Sequence, residues 1–477
     1  MPIPQDSSAP AMDSFTHLFD PSILRAYDVR GEIGTTLKEN DCYAIGRTFG
    51  SIVARNGGKS VALGYDGRET SPVFAEAVIA GLQKAGIDVH VVGLGPSPMV
   101  YFALHHLQAD ASVVVTGSHS PVTHNGIKMA LAERPFYGDD IQKLGEMAAS
   151  GDVESGNGAR FDVNVYEAYT DRLVADYDCG VELNIAWDIG NGAAGAIIDL
   201  LIEKLPGKHT LLYPEVDGTF PNHHPDPTVA KNLVDLQAAV KQHGCDVGIG
   251  FDGDADRIGA VDENGDILWA DLLMALYAAE VLQTHPGAPI IADVKASRVL
   301  FDEIKRLGGQ PVMCQTGHSV IKAKMKELKS PLAGELAGHI CFADKFYGFD
   351  DAPYCAVRLL NLIGHSGKKL SALTAHLPKM HNTPEIRFPV DEARKFDIPK
   401  EILQNLRAVQ EDTWDICDID GIRLTTPDGW WLLRASNTES VLTARAEGFD
   451  EAGLERLKTM LSEQLEKTGV ELPDDTE

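Results

Sequence analysis

The sequence lacks long apolar runs and paired cysteines, and we expect no signal peptide. No run of about 18 apolar residues occurs, so no segment has the pattern of a membrane-spanning helix. The seven cysteines are scattered without a CxxC pair, which argues against a disulfide framework or a zinc site and favours a reducing compartment. Met1 to Asp20 contains no Lys or Arg and no apolar core of the length that a signal peptide needs. We therefore expect a cytoplasmic protein.

Basic residues are the scarcer charge. Lys and Arg number 42 against 70 Asp and Glu, so the formal net charge is −28 and the isoelectric point is about 4.9. A broad basic face is not expected, which excludes most proteins that bind nucleic acids or anionic membranes through phosphate charge. We expect a monomer that acts on small molecules, with no nucleic-acid or membrane partner.

Short β-branched runs alternate with polar loops and with segments of helical spacing. The chain has 477 residues, 44% of them hydrophobic, which suffices for about three domains with buried cores. Ala111 to Val115 is one predicted strand, and Val73 to Ala85 is a predicted helix with Val73, Ala77 and Ala80 marking successive turns. This alternation is typical of βαβ units around a mostly parallel sheet.

The pattern changes after Pro384, where predicted strands alternate and one amphipathic helix follows. Leu454, Leu457, Leu461 and Leu465 recur at intervals of three and four, which predicts an apolar stripe facing a sheet. We therefore predict an α/β protein with three α/β domains of mixed sheets and a C-terminal α+β domain. The predicted domains span residues 1–162, 163–267, 268–382 and 383–477.

The densest anionic cluster lies directly after a predicted buried strand. Asp252, Asp254 and Asp256 alternate along one short loop, so their carboxylates point the same way and suit Mg²⁺ together with a phosphate or water. The same residues and Glu263 also fit ligand positions of an EF-hand loop. Arg257 stands where that loop needs glycine, and a strand precedes it. A calcium-binding module and a solvated acidic turn are thus the weaker alternatives.

A second polar loop, Thr116 to Pro121, follows the predicted strand that ends at Val115. A serine on such a loop is expected to be exposed, and Gly117 allows close approach of a ligand, so Ser118 could accept a phosphoryl group. The GxSxG pattern of a nucleophile elbow is missing. A plain polar turn therefore stays open as an alternative.

A glycine-rich segment, Gly190 to Gly195, matches GxGxxG between a predicted strand and a predicted helix. Glu215 follows at the distance typical of a dinucleotide site. Glu215 lies in a loop with Pro214 and Gly218, however, and no long tandem βαβαβ unit surrounds the segment. A nicotinamide-dependent enzyme is therefore a distant alternative.

Two later loops carry groups suited to a phosphosugar. Glu335 and His339 offer a carboxylate and an imidazole that could bind a polyol and move protons. The segment from Arg434 to Thr438 combines a guanidinium, two hydroxyls and an amide, donors suited to a phosphate dianion.

With these loops in this order, the sequence resembles the α-D-phosphohexomutase family, most closely its bacterial phosphomannomutase/phosphoglucomutase branch. The resemblance runs from Arg25–Gly31 to the Arg434 loop. It implies a heart-shaped molecule of four domains around a central cleft. The implied enzyme is an isomerase, an intramolecular phosphotransferase that interconverts mannose or glucose 6-phosphate and 1-phosphate. A phosphoglucosamine mutase is the nearer alternative, although such enzymes typically carry Gln and Ser where this chain has Leu336 and Ala337.

The resemblance also implies residue roles. Ser118 would be a phosphoserine whose phosphate binds Mg²⁺ together with Asp252, Asp254 and Asp256, and a hexose 1,6-bisphosphate would be the intermediate and activator. Lys128 and His339 would be the acid/base pair and Arg257 a further catalytic group. Residues implied in substrate binding are Tyr27, Arg30, Lys295, His318, Glu335, His339, Arg434, Ser436, Asn437 and Thr438.

Two further expectations concern single residues. A base at Lys128 requires a pKa below the usual value near 10.4, which nearby arginines and Mg²⁺ would cause. Ser120 and Ala337 replace the Asn and Ser that are usual in the family, and each change removes a hydrogen-bonding group.

Overall fold

Four β-sheets follow one another along the chain. The structure, a computed structural model, describes residues 15–132, 134–409, 411–436 and 440–473. Within these ranges, none of the helices is long and apolar enough to cross a lipid bilayer. Two short 3₁₀ helices, at Pro21–Ile23 and Ala230–Leu233, lie outside the sheets.

The first sheet is mixed. Its strands are β1 (Val29–Glu32), β2 (Ser60–Tyr65), β3 (Asp88–Leu94), β4 (Ala111–Val115), β5 (His124–Leu131), β6 (Arg134–Pro135) and β7 (Arg160–Asp162). The helices of this unit are α1 (Glu39–Arg55), α2 (Ser71–Lys84), α3 (Ser97–His106) and α4 (Asp139–Ser150). Strand β4 runs parallel to β2 and antiparallel to β5. The loops that follow β2 and β4 therefore emerge at the same edge of the sheet.

Helix α2 confirms the helix predicted over Val73 to Ala85. Phe74, Val78 and Leu82 are buried, whereas Val73 is 48% exposed. The large side chains at intervals of four define the buried face of this helix.

The second sheet carries the acidic loop. Its strands are β8 (Leu183–Asp188), β9 (Gly207–Leu212), β10 (Val247–Phe251), β11 (Ile258–Asp262) and β12 (Ile267–Leu268). Helices α5 (Tyr166–Val174), α6 (Gly195–Lys204) and α7 (Val234–His243) belong to this unit. Strands β10 and β11 are antiparallel neighbours, every residue of both is buried, and the acidic loop connects them.

The third sheet has the strand order β14-β13-β15-β16. These strands are β13 (Pro289–Asp293), β14 (Gln310–Cys314), β15 (Leu332–Gly334) and β16 (Ile340–Phe342). The helices are α8 (Ala270–Thr284), α9 (Arg298–Arg306), α10 (His318–Leu328), α11 (Ala352–Ser366) and α12 (Leu370–Thr374). The turn between the antiparallel strands β15 and β16 contains Glu335 and His339.

The fourth sheet is antiparallel. Its strands are β17 (His381–Asn382), β18 (Ile386–Pro389), β19 (Asp415–Cys417), β20 (Ile422–Thr426), β21 (Gly429–Ala435) and β22 (Val441–Gly448), with helices α13 (Asp397–Ala408) and α14 (Glu451–Glu466). Leu457, Leu461 and Leu465 of α14 are buried and Leu454 packs against the same core, which confirms the predicted stripe. Three α/β units and a C-terminal α+β unit are thus present, as predicted.

Two buried arginine side chains join the fourth unit to the third. Arg423 Nη1 donates hydrogen bonds to the carbonyl oxygens of Val294 (2.6 Å) and Ala296 (2.8 Å), and Arg445 Nη1 donates to that of Lys295 (2.6 Å). The backbone on both sides of the Lys295 side chain is therefore fixed by strands of the neighbouring unit.

Candidate active site

The three aspartates of the loop after β10 converge in the interior. Asp252, Asp254 and Asp256 are all 0% exposed, and ligand oxygens from the three lie within 4.8 Å of one another. Among the described residues, Oδ1 of Asp254 and Oδ1 of Asp256 accept no hydrogen bond. Burial, together with the charges of Asp256 and Asp254, raises the pKa of Asp252 well above its usual value. Buried carboxylate oxygens without donors are costly, so the loop fits a bound cation.

Ser118 lies against this acidic loop. Its Oγ donates a hydrogen bond to Oδ2 of Asp252 at 2.8 Å, and its amide donates to Thr116 Oγ1 at 2.8 Å. Ser118 is only 2% exposed, so the prediction of an exposed serine is wrong. The reason is close packing between two units, because a Cβ added to Gly253 would lie 2.6 Å from the carbonyl oxygen of Ser118.

Lys128, on strand β5, completes the buried charge cluster. Its Nζ lies 2.7 Å from Asp254 Oδ2 and 2.6 Å from Asp256 Oδ2. Burial alone would lower the pKa of Lys128, but the carboxylates of Asp254 and Asp256 raise it well above its usual value. Lys128 is therefore an ammonium ion in this arrangement, and the lowered pKa expected beside Mg²⁺ stays a prediction.

Arg257 and His339 connect the acidic loop to the third unit. Arg257 Nε donates to His339 Nε2 at 3.0 Å, and His339 Nδ1 lies 3.0 Å from Asp350 Oδ2. The rings of His318 and His339 stack with centroids 5.1 Å apart. Burial and the ammonium of Lys322 lower the pKa of His318 well below its usual value. Both imidazoles therefore have defined orientations.

Tyr27 joins the first unit to the third, whereas Arg30 and Glu335 each contact a loop of their own unit. Tyr27 Oη donates to the carbonyl of Thr316 at 2.7 Å, and Glu335 Oε1 accepts from the amide of Gly317 at 2.7 Å. Arg30 pairs with Asp28 and donates to the carbonyl of Gly117 at 2.9 Å. The structure thus brings these predicted residues to the loops that carry Ser118 and His318.

The predicted phosphate-binding residues of the fourth unit are described in part. Arg434 Nε donates to Asp420 Oδ2 at 2.9 Å, and the same oxygen accepts from the amide of Thr316 at 3.0 Å. Ser436 is buried, whereas Asn437 and Thr438 lie outside the described residues. Lys295 Nζ lies 3.1 Å from Glu385 Oε2, which also comes from the fourth unit.

His119, next to Ser118, pairs with a buried carboxylate. Its Nδ1 lies 3.1 Å from Asp226 Oδ2. Burial and the nearby Arg257 lower the pKa of His119 to about 3, despite the opposing effect of Asp226. The imidazole is therefore neutral at physiological pH.

The glycine-rich segment after β8 packs against the loop of Glu215. Asn191 Nδ2 donates to the carbonyl of Glu215 at 2.9 Å, and a Cβ added to Gly195 would lie 2.1 Å from the carbonyl oxygen of Pro214. The close approach that these glycines permit is thus made by backbone. Their spacing is explained without a bound dinucleotide.

Sequence reasoning did not single out several residues that contact this site. Among them, Asp350 contacts His339, Asp226 contacts His119, and Ser97 donates to Asp254. Asp350 follows an aromatic stretch, Phe346 to Phe349, so an acidic residue after apolar neighbours was the available signal. Nothing in the local spacing links Asp226 or Ser97 to the acidic loop.

Comparison with known proteins agrees with this geometry. Family models named phosphoglucomutase/phosphomannomutase match in order: alpha/beta/alpha domain I at residues 21–152, domain II at 167–265, domain III at 269–381 and the C-terminal domain at 385–464. The chain belongs to the phosphoglucomutase/phosphomannomutase family. The family and the class of activity predicted from the sequence, a hexose phosphate mutase, are confirmed.

Relatives within this family match over nearly their whole length. The chain is 42% identical over 452 residues to the phosphomannomutase/phosphoglucomutase of Pseudomonas aeruginosa, covering 95% of this chain and 97% of that protein. It is 38% identical over 448 residues to the phosphoglucomutase of Neisseria gonorrhoeae, covering 93% and 96%. A crystal structure of a phosphoglucomutase/phosphomannomutase family protein from Burkholderia thailandensis superposes with a TM-score of 0.89 and 39% identity, covering 96% of this chain and 100% of that one.

The environment of His119 predicts that its imidazole does not titrate near neutral pH in the folded protein. With ¹³C-labelled histidine and His119→Gln for assignment, we expect its NMR signal to stay constant between about pH 5 and 8. In urea the same signal should titrate near about 6.5. Because the unfolded chain binds this proton at higher pH, His119 makes the free energy of unfolding fall as pH decreases below about 6.5. A native titration near pH 6.5 would contradict this account.

Proposed function

We propose that this protein moves a phosphoryl group between O6 and O1 of mannose or glucose phosphates, with Ser118 as the phosphoryl carrier. The observation that carries the proposal is the 2.8 Å hydrogen bond from Ser118 Oγ to the buried acidic loop, where Lys128 supplies a positive charge. Phosphoryl transfer requires alignment and neutralisation of charge, and this cluster offers both. The names of the Pseudomonas and Neisseria relatives support the choice of mannose and glucose.

We propose Mg²⁺ as the metal ion. Asp252, Asp254 and Asp256 would hold it together with the phosphate on Ser118, because a set of oxygen donors suits a hard divalent cation. When bound, the ion would neutralise charge on the transferring phosphoryl group. The donor-free oxygens of Asp254 and Asp256 support this assignment.

The proposed reaction takes place in two transfers. The phosphoryl group on Ser118 Oγ passes to the free O1 or O6 hydroxyl of the hexose monophosphate, giving a hexose 1,6-bisphosphate. The bisphosphate then reorients, and its other phosphoryl group returns to Ser118 Oγ. The enzyme is thereby regenerated, and the net change moves one phosphate within the sugar.

Proton transfer at the sugar hydroxyl is assigned to His339 and Lys128. His339 is held by Arg257 and Asp350, so its ring is fixed between the acidic loop and the third unit. In the first transfer His339 would accept the proton of the attacking sugar hydroxyl, and Lys128, an ammonium in this arrangement, would donate a proton to Ser118 Oγ as the phosphoryl group leaves it. In the second transfer the two proton movements would run in reverse. Arg257 contributes a second positive charge beside the reacting group.

Substrate binding is assigned to the residues that meet where the units adjoin. Tyr27, His318 and Glu335 would contact the sugar hydroxyls, and Arg30 would contact a phosphate near Ser118. Lys295, Arg434 and Ser436, with Asn437 and Thr438 of the same loop, would bind the phosphate that does not react. Because this clamp is separate from Ser118, the sugar can bind in either orientation.

We also propose the domain division at 1–162, 163–267, 268–382 and 383–477, and a monomeric, cytoplasmic enzyme. Most strands of each sheet lie within one of these ranges, whereas Leu268 of β12 and strand β17 fall just beyond the proposed boundaries of their sheets. Lys128, Arg257 and Arg434 all contact residues of this same chain around the proposed site. These contacts support a site that is formed by one chain alone.

The first test is the activity of Ser118→Ala. With hexose 1,6-bisphosphate and Mg²⁺ present, we expect its turnover of mannose 1-phosphate and glucose 1-phosphate to fall at least about 1,000-fold, because the phosphoryl acceptor is lost. Ser120→Ala, two residues further along the same loop, is the matched control and should keep measurable turnover. Full activity of Ser118→Ala would disprove the proposal, and faster turnover of glucosamine phosphates than of either hexose would favour a phosphoglucosamine mutase.

The second test concerns the metal. We expect Mg²⁺ to raise the midpoint of thermal unfolding of the wild type, since a ligand at about 100 times its Kd stabilises the folded state by about 2.7 kcal/mol. Asp254→Asn should lose most of this shift, whereas Asp266→Asn, an exposed change in the neighbouring hairpin, should keep it. A shift with Ca²⁺ that Mg²⁺ does not reproduce would instead support the calcium-binding alternative.

A further inference from the structure

A second arginine contacts the Ser118 loop from within the first unit. Arg68 is only 3% exposed and follows strand β2. Its Nη2 donates to the carbonyl oxygens of Ser118 (2.8 Å) and Ser120 (2.6 Å), and its Nη1 donates to those of Pro121 (2.8 Å) and His124 (3.0 Å). One guanidinium therefore binds three backbone carbonyls of the loop that joins β4 to β5 and the carbonyl of the first residue of β5.

Asp66 completes this attachment. Its Oδ2 accepts hydrogen bonds from the amide of Gly117 and from Thr116 Oγ1, both at 2.9 Å. Its Oδ1 accepts from the backbone amide of Arg68 at 3.1 Å. Just after β2, Asp66 thus accepts hydrogen bonds from the start of the Ser118 loop, and Arg68 donates hydrogen bonds to the rest of it.

The backbone that these contacts fix is unusual at one residue. Ser118 has a φ of +48°, in the left-handed region that residues other than glycine rarely adopt. Such a conformation persists only where surrounding contacts over-determine it. The hydrogen bond from Arg68 to the Ser118 carbonyl orients the peptide plane that follows the serine. The hydrogen bond from the Gly117 amide to Asp66 orients the loop before it.

The fit between Arg68 and the loop requires a glycine. A Cβ added to Gly117 would lie 2.2 Å from Arg68 Nε and 2.4 Å from Arg68 Cζ. Arg30 also contacts the loop, at the carbonyl of Gly117, but its side chain is more exposed than that of Arg68 and is assigned to substrate phosphate. We therefore assign Arg30 to the substrate and Arg68 to the backbone of the Ser118 loop.

We propose that Arg68 is a positioning residue for phosphoryl transfer, which holds the Ser118 loop in the conformation that directs Oγ toward the acidic loop. This inference rests on the proposed role of Ser118 as phosphoryl carrier. Arg68 contacts the loop backbone, Asp66 and the ring of Phe220, whose centroid lies 5.3 Å from its Cζ. It therefore acts through Ser118 and not on the sugar. Its loss should therefore slow both transfers and leave the affinity for the monophosphate unchanged.

The test compares Arg68→Lys with Arg47→Lys. A lysine keeps the charge but its single ammonium cannot satisfy four carbonyls. Arg47 is a matched control in the same unit, because it is 1% exposed and donates to the carbonyl of Glu154 at 3.1 Å, away from the Ser118 loop. We expect kcat of Arg68→Lys to fall about 10- to 100-fold with KM within about threefold of wild type. Arg47→Lys should keep kcat within about twofold, even where both variants lose similar thermal stability.

A second readout separates positioning from general damage. The rate at which glucose 1,6-bisphosphate phosphorylates Ser118, followed by intact mass, should fall in Arg68→Lys by the same factor as kcat. If Arg68→Lys does not fold, Gly117→Ala serves as the second variant. It keeps Arg68 but pushes its guanidinium away from the loop, so the same loss of kcat is expected. Wild-type kcat in the folded variant, or a rise in KM alone, would overturn the inference. Wild-type protein without mutase activity, or an active Ser118→Ala, would instead overturn the proposed function.

Discussion

Three buried carboxylates on one short loop set the main physical constraint on this structure. Asp252, Asp254 and Asp256 have no exposed surface, so each has lost hydration and repels the other two. Their protein partners come largely from the first unit, in which Lys128 and the hydroxyls of Ser97, Thr116 and Ser118 reach the loop. Neutralising the acidic loop therefore fastens the first two units together and places Ser118 at their junction.

Buried charged groups also connect the other units of the molecule. Arg257 links the acidic loop to His339, and Asp350 holds the other side of that imidazole. In the fourth unit, Asp420 accepts hydrogen bonds from both Arg434 and the amide of Thr316. Each unit thus contributes charged groups to a junction with its neighbour. The chain as a whole is acidic. These few basic side chains are therefore the local source of positive potential that could attract a phosphosugar.

The sequence allowed the fold class and the acidic loop to be predicted because their signals are local. The alternating carboxylates and the leucine stripe of α14 both arise from the geometry of one element. The burial of Ser118 was missed because it depends on packing between loops of two units.

Contacts between distant residues explain what the sequence did not reveal. Lys128 and Asp254 are 126 positions apart, so the raised pKa of that ammonium follows from a pairing that no spacing reveals. Arg68 and Ser118 meet because β2 and β4 are parallel neighbours in the sheet. A polar residue after β2 was visible in the sequence, but its partner was not. The contacts of Arg68 follow from the order of the strands in the sheet and could not be inferred from its residue type.

The central claim is that Ser118 carries the phosphoryl group, and peptide mapping by mass spectrometry tests it most directly. Wild-type protein is incubated with ³²P-labelled glucose 1,6-bisphosphate and then chased with unlabelled glucose 1-phosphate. The account predicts one phosphoryl group, on the peptide at Ser118, which the chase transfers to the sugar. Label on another residue, or label on Ser118 that the chase does not remove, would contradict it.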